Sequence, residues 1–214
     1  MTVKRVILIR PAETDWNQLR RWQGWVATPL NEHGKRQAQQ LAKFIRNIGM
    51  SALYSSDLKR AVETAVLLAE RLDYQPIYDA RLRERNIGAW QGLTRDEMQA
   101  WYPDEYTKLL ADVDGYQMPG GESRAEVRKR MLTIFDEIMT QDKGETIGIL
   151  SHTTAFRALL SSLMPELDVN EIVFSNSSVT TIARGDQWQV VTSNDMMHLE
   201  GLESRSAKEV EQPK

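Results

Sequence analysis

The sequence predicts an α/β fold, a three-layer α/β/α sandwich around a mainly parallel sheet. Three observations lead there. Two short runs, residues 6–9 and 146–150, are apolar without alternation, as in strands buried on both faces. Segments with apolar residues at helical spacing separate the strand-like runs. That alternation demands crossover connections, which favour parallel neighbours.

The elements follow in order. Val6-Ile7-Leu8-Ile9 is the first buried strand. Residues 33–49 carry Ala38, Leu41, Phe44, Ile45 and Ile48 on one face, and Gly49 ends that helix. Ala52-Leu53-Tyr54 reads as a second strand. Residues 57–72 form a second amphipathic helix with Ser56 or Asp57 as its cap. Pro76-Ile77-Tyr78 reads as a third short strand. Thr94-Arg95-Asp96-Glu97 has the capping-box form and starts a short helix, which Pro103 interrupts. Pro119-Gly120-Gly121 is a turn. Residues 123–140 form a third long helix with Val127, Met131, Ile134, Phe135 and Ile138 inward. Residues 146–150 return as a buried strand and residues 155–163 as a helix. Residues 179–182 and 189–192 read as edge strands, with pairing between copies an open possibility. Residues 1–199 are expected as one domain, and 200–214 as a polar, disordered tail.

Composition excludes several function classes. The chain of 214 residues has no cysteine, so disulfide scaffolds, cysteine-ligated zinc and thiol catalysis are out. Its three histidines are His33, His152 and His198, too few for a multi-histidine metal site. No apolar run approaches the ~18 residues of a membrane span. The first ten residues lack a signal-peptide layout, and the chain is expected to be cytoplasmic. A net charge of −3 argues against broad nucleic-acid binding. Trp16, Trp22, Trp25 and Trp90 read as loop packing, not as a stacking platform for bases.

Chemistry is expected beyond the C-terminal ends of the strands. Arg10 follows the first strand, Arg60 lies in the helix after the second, and Ser151-His152 follows the fourth. Two arginines and a histidine at neighbouring strand ends suit an anion, since guanidinium offers a planar fork of donors. Each residue taken singly also has a plain structural reading, an arginine as a surface ion pair and a histidine as a packed core group. Glu84, flanked by Arg81, Arg83 and Arg85, reads by itself as a solvated charge cluster.

At these residues the chain resembles the histidine phosphatase superfamily, the phosphoglycerate mutases and their short phosphatase relatives. Leu8-Ile9-Arg10-Pro11-Ala12-Glu13-Thr14-Asp15-Trp16-Asn17 is similar to the family's opening motif, usually Leu-Val-Arg-His-Gly-Glu-Thr-x-Trp-Asn. Gln23-Gly24 and Thr28-Pro29-Leu30-Asn31 follow, although Ala27 stands where an Asp is common. Tyr54-Ser55-Ser56-Asp57-Leu58-Lys59-Arg60-Ala61 and Leu82-Arg83-Glu84 match closely. So do Pro119-Gly120-Gly121-Glu122-Ser123, Ser151-His152, Asn176-Ser177-Ser178 and Asn194-Asp195. The resemblance implies a phosphoglycerate mutase-like fold and no metal or other cofactor. It implies that Arg10, Asn17, Arg60 and His152 hold phosphoryl oxygens and that Glu84 protonates the leaving oxygen. Only residues 85–118 separate Glu84 from the Pro-Gly-Gly turn, as in the phosphatase-like branch. The segment 101–118 is the expected lid.

The departure sits at the centre of the site. Pro11 occupies the place of the nucleophilic histidine, and a prolyl nitrogen is a tertiary amide with no lone pair to attack phosphorus. Ala12 stands for the usual glycine, which would strain a positive φ. Thr153-Thr154 stands for Gly-Gly and either crowds the pocket or offers it two hydroxyls. His33, at a helix start, is not expected to substitute. Three functions remain. One is a phosphate-ester-binding pseudophosphatase. Another is a slow hydrolase in which water attacks and Glu84 or His152 moves the proton, since positioning alone leaves residual rate factors of ~10³ over water. The third is an interaction protein with a blocked pocket. The expected ligand is phosphate or a small phosphorylated molecule.

Overall fold

The computed structural model describes residues 3–141 and 143–204. Its centre is β1 (Arg5–Ile9), whose side chains alternate between two cores. Val6 and Leu8 face one cluster, with Phe135, Ile147, Ile149, Phe156 and Leu159. Ile7 and Ile9 face the other, with Leu41, Ile45, Leu53, Leu68 and Leu150. Strand side chains alternate with period two, so a strand apolar throughout buries both faces. Each of these four side chains is at most 1% exposed, and burial of each contributes roughly 1.5–3 kcal/mol. This is why the fold has three layers.

The sheet has six strands among the described residues, in the order β3-β2-β4-β1-β5-β6. β2 (Leu53–Ser55), β3 (Ile77–Tyr78) and β4 (Thr146–Leu150) run parallel with β1. β5 (Val179–Arg184) and β6 (Trp188–Asp195) form an antiparallel hairpin on the far side of β1. Of the two expected edge strands, β5 is therefore interior and only β6 is an edge. Val179 and Ile182 are buried against the core, whereas Val191 of β6 is 60% exposed.

On one face lie α2 (Glu32–Ile45) and α3 (Lys59–Ala69); on the other lie α6 (Arg124–Met139) and α7 (Thr153–Leu163). Asn31 caps α2, and Gly49, at φ +74°, ends the 3-10 turn that follows. The expected cap of α3 differs. Leu58 occupies the cap with no side-chain bond, and Ser56 instead hydrogen-bonds His152. α1 (Asp15–Gln18) is a single turn with no apolar periodicity to announce it.

Two short helices lead into and through the segment expected as a lid. Thr94 and Glu97 close a reciprocal capping box on α4 (Arg95–Trp101). Pro103 does not merely interrupt; it is the first residue of α5 (Pro103–Ala111), where its missing N–H costs nothing. Trp90, Met98, Tyr106, Leu109 and Met118 form a separate small core beneath it. At the other end, the Leu202 carbonyl accepts hydrogen bonds from Gln37 and Ser204 bonds the same side chain. Tertiary contacts thus run past Leu199 into the stretch expected as a tail, and residues 205–214 lie outside the described residues. No helix among the described residues is long and apolar enough to cross a membrane.

α2 meets the loop after β1 at van der Waals contact. A Cβ on Gly34 would sit 2.0 Å from the Glu13 carbonyl oxygen, and backbone cannot yield as a flexible side chain does. Gly34→Ala is expected to lower stability by roughly 2–3 kcal/mol, read as a reduced midpoint in urea unfolding.

Candidate functional site

Because β2, β4 and β1 are parallel neighbours, their C-terminal ends open on the same side. The chain after each strand enters one cavity of about 520 Å³. All seven residues expected at the site line it: Arg10, Pro11, Asn17, Arg60, Glu84, His152 and Thr153. His33 does not; its ring bonds the Leu202 carbonyl at 2.9 Å.

The loop after β1 is buried from Pro11 to Thr14, so its backbone groups need partners. Ala12 N–H donates to Thr64 Oγ1 of α3 (3.1 Å), and Glu13 N–H to Gln37 Oε1 of α2 (3.1 Å). Thr14 N–H donates to Asn17 Oδ1 (2.9 Å) in the α1 capping box. The Pro11 carbonyl accepts from Asn176 Nδ2 (3.2 Å) and from Ser177 N–H (3.3 Å). Pro11 has no N–H to satisfy. Three helices and the segment before β5 therefore fix this loop. Ala12 does not adopt a positive φ, so the strain anticipated for it is absent. Ser177 carries one instead, at +60°.

The cations are held by carbonyls. Arg60 is 4% exposed. It donates to the carbonyls of Gly24 (2.9 Å) and Val26 (3.3 Å). Arg10 donates to the Phe174 carbonyl. Such bonds aim a guanidinium without cancelling its charge. Burial lowers the Arg60 pKa to about 10, opposed by the Glu84 carboxylate and aided by Arg10. His152 is buried too, with Nε2 2.9 Å from Ser56 Oγ. Burial, followed by the charges of Arg60, Arg10 and Arg130, holds its imidazole well below the usual histidine value. It is neutral near pH 7, with one nitrogen donating and one accepting.

Thr153 and Thr154 open α7, and both line the cavity. They bring the positive end of that helix to the pocket. Glu84 Oε2 accepts the Thr154 N–H (3.2 Å), and Oε1 accepts the Arg85 N–H (2.7 Å). The Glu84 backbone is clamped as firmly. Its carbonyl accepts from Trp25 Nε1 (2.6 Å) and Arg130 Nη2 (2.9 Å). Arg130 also binds the carbonyls of Arg81 and Arg83, both at 2.7 Å, and pairs with Glu122 at 2.8 Å. The flanking arginines are not a solvated cluster. Arg83 pairs with Asp57 at 2.6 Å and lies over the Trp25 ring, and Arg81 pairs with Asp79 and Glu137.

Asn176, Arg130 and the lining arginines Arg20, Arg85, Arg124 and Arg157 were not foreseen as site residues. Asn176 and Arg157 lie in segments that resemble the family, which was the available signal. Arg130 looks like any polar-face residue of α6.

Compared with known proteins, residues 6–196 match the family model of the histidine phosphatase superfamily (branch 1). The chain is 33% identical to phosphoglycerate mutase-like protein 4 of Arabidopsis thaliana, over 91% of this chain and 86% of that protein. Among solved structures, it is similar to a mycobacterial glucosyl-3-phosphoglycerate phosphatase complexed with VO3. The TM-score is 0.79 at 30% identity, over 91% of this chain and 100% of that one. It is also similar to a histidine-to-alanine mutant of the Entamoeba histolytica phosphoserine phosphatase in complex with phosphoserine. There the TM-score is 0.80 at 28% identity, over 91% and 98% of the two chains.

His198 is likewise held below the usual value by burial. In the unfolded chain both histidines protonate near pH ~6.5, so the unfolded state binds protons that the fold refuses. This contribution to stability is intact above about pH 6.5 and is lost as pH falls below it. The thermal midpoint is expected to drop between about pH 7 and pH 5.5, and His152→Gln to flatten that slope. An unchanged slope in the variant contradicts a buried, neutral His152.

Proposed function

The chain belongs to the histidine phosphatase superfamily, and from that premise we propose that it binds phosphate monoesters without turning them over through a phosphohistidine. Arg10 and Arg60 take the phosphoryl oxygens as fixed cations. His152 adds a neutral hydrogen bond, Asn17 an amide, and Thr153 the positive end of α7. Asn17 spends its Oδ1 on the Thr14 cap, so its Nδ2 is the group for the ligand. This constellation suits a phosphate dianion, since recognition and catalysis of phosphoryl transfer both rest on placed charge.

The observation that carries the reading is Pro11. It lines the cavity directly after Arg10, and its carbonyl is tied to Asn176 and Ser177; the resemblance of residues 8–17 to the family's opening motif is what supports reading it as the nucleophile's position. A prolyl ring offers no lone pair, so no phosphoenzyme forms there. Binding does not need that lone pair. The Entamoeba phosphoserine phosphatase mutant, which lacks one histidine and is complexed with phosphoserine, supports binding without turnover.

Glu84 favours a second reading. Its carboxylate lines the cavity, held by the N–H groups of Arg85 and Thr154. Water attacking a held phosphoryl group, with Glu84 or His152 carrying the proton, gives slow hydrolysis.

Titration calorimetry with inorganic phosphate and with phosphoserine, beside a phosphate-release assay, separates these readings. The expected result is binding that weakens about tenfold or more in Arg60→Ala, with no release above background. Release by the native chain that disappears in Arg60→Ala contradicts the pseudophosphatase and establishes direct water attack. No binding at all points to a closed pocket.

A further inference from the structure

The buried loop Pro11–Thr14 is tied, through one side chain, to a part of the chain that lies outside the cavity. After β6 comes a 3-10 turn, Met197–Leu199, which packs on α2. Leu199 is buried there, and the His198 ring stacks on Phe44 of α2 with centroids 4.9 Å apart. Gly201, at φ +78°, lies in the turn that follows. The Leu202 carbonyl then accepts from His33 Nε2 (2.9 Å) and from Gln37 Nε2 (2.8 Å). Ser204 Oγ accepts from the same Gln37 nitrogen (3.1 Å). Ser204 is 4% exposed and Gln37 0%. Neither Gln37 nor any residue from 197 to 204 lines the cavity.

At its other end the Gln37 carboxamide serves the loop, where Oε1 accepts the Glu13 N–H at 3.1 Å. A carboxamide has an acceptor at one end and donors at the other. The Glu13 N–H can only donate and the Leu202 carbonyl can only accept, so both demands fix the same orientation of the amide. Turned over, it would set donor against donor at Glu13 and acceptor against acceptor at Leu202. If residues 202–204 lift away, the N–H groups of a buried amide lose their partners, which is costly. Turning toward water relieves that cost and takes the acceptor away from Glu13. The start of α2 also touches the loop at Gly34, where a Cβ would stand 2.0 Å from the Glu13 carbonyl oxygen. A shift of α2 at His33 and Gln37 is therefore felt at Glu13.

We infer that Gln37 is a positioning residue for the phosphate site, and that residues 199–204 are a strap whose docking on α2 sets the affinity of that site. This rests on the phosphate site proposed above. The strap holds the Gln37 amide, and the amide holds Glu13. The loop so fixed presents Pro11 and Ala12 to the cavity, directly after Arg10. Such coupling is reciprocal, so an anion in the cavity tightens the strap.

The test uses the full chain and inorganic phosphate, with two readouts. The first is residue-resolved hydrogen exchange of the native chain with and without saturating phosphate. Exchange at Glu13, Leu202 and Ser204 is expected to slow with phosphate, although none of these lines the cavity. Edge strand β6, which also exchanges through local opening, is expected not to change. Unchanged exchange at Leu202 and Ser204 in the phosphate-bound chain overturns the coupling. This readout needs no variant, so it decides the matter even where a variant does not fold. The second is titration calorimetry. Gly201→Pro forbids the φ of +78°, and a Cβ at 201 meets nothing within 4 Å, so it lifts the strap without a clash. It is expected to weaken phosphate binding about fivefold or more, Gln37→Met at least as much, and Ser204→Ala less. A lowered thermal midpoint with phosphate affinity unchanged in Gly201→Pro and Gln37→Met makes these residues structural only and overturns the proposal while the phosphate site stands. No binding of phosphate by the native chain overturns both.

Discussion

The buried loop from Pro11 to Thr14 is the constraint on which the site depends. Its main chain bonds Thr64, Gln37, Asn17, Asn31, Asn176 and Ser177. Unpaired buried backbone groups cost roughly 1–3 kcal/mol each, so the loop has one favourable path. That path runs through α1, α2, α3 and the approach to β5, which explains why elements far apart in sequence meet here. It also explains how Pro11 is accommodated. The partnered main-chain group at position 11 is its carbonyl, which proline possesses.

Around this loop, carbonyls place the guanidinium groups: Arg60 donates to Gly24 and Val26, and Arg10 to Phe174. Glu84 is the acid of the lining and acts on Arg60, while Asp57, Glu97 and Glu122 pair with Arg83, Arg21 and Arg130. Burial makes the Arg60 charge costly, and on the proposed reading an arriving anion relieves that cost. Neutral His152 fits the same logic, since a third charge beside two guanidinium groups is disfavoured. Arg130 then ties the carbonyls of Arg81, Arg83 and Glu84 to Glu122. The position of Glu84 is therefore set from α6, across the cavity wall.

Much of this was legible in the residues, and the failures have physical causes. The apolar runs announced β1 and β4 because a strand buried on both faces has no alternation. The Thr94 capping box announced α4. Arg10, Arg60 and His152 were legible because each follows a strand, and Glu84 only through the motif that carries the resemblance. β5 was misplaced at the edge because an antiparallel hairpin added to a parallel sheet leaves no local sign of which strand pairs inward. Ser56 was taken for a cap because sequence cannot show that a buried histidine competes for its hydroxyl. Ala12 was suspected of strain, but its φ is not positive. Arg20 and Arg124 were missed because α1 and α6 bring them to the cavity only once the fold is assembled.

On the proposed reading the pocket is complete except for its nucleophile, and Pro11→His decides it. This substitution alone is expected to create phosphomonoesterase activity in a chain otherwise silent, with an acid-labile phosphoryl group trapped on the new imidazole during turnover. A variant that folds, binds phosphate and stays silent contradicts it, because the pocket would then lack more than a lone pair.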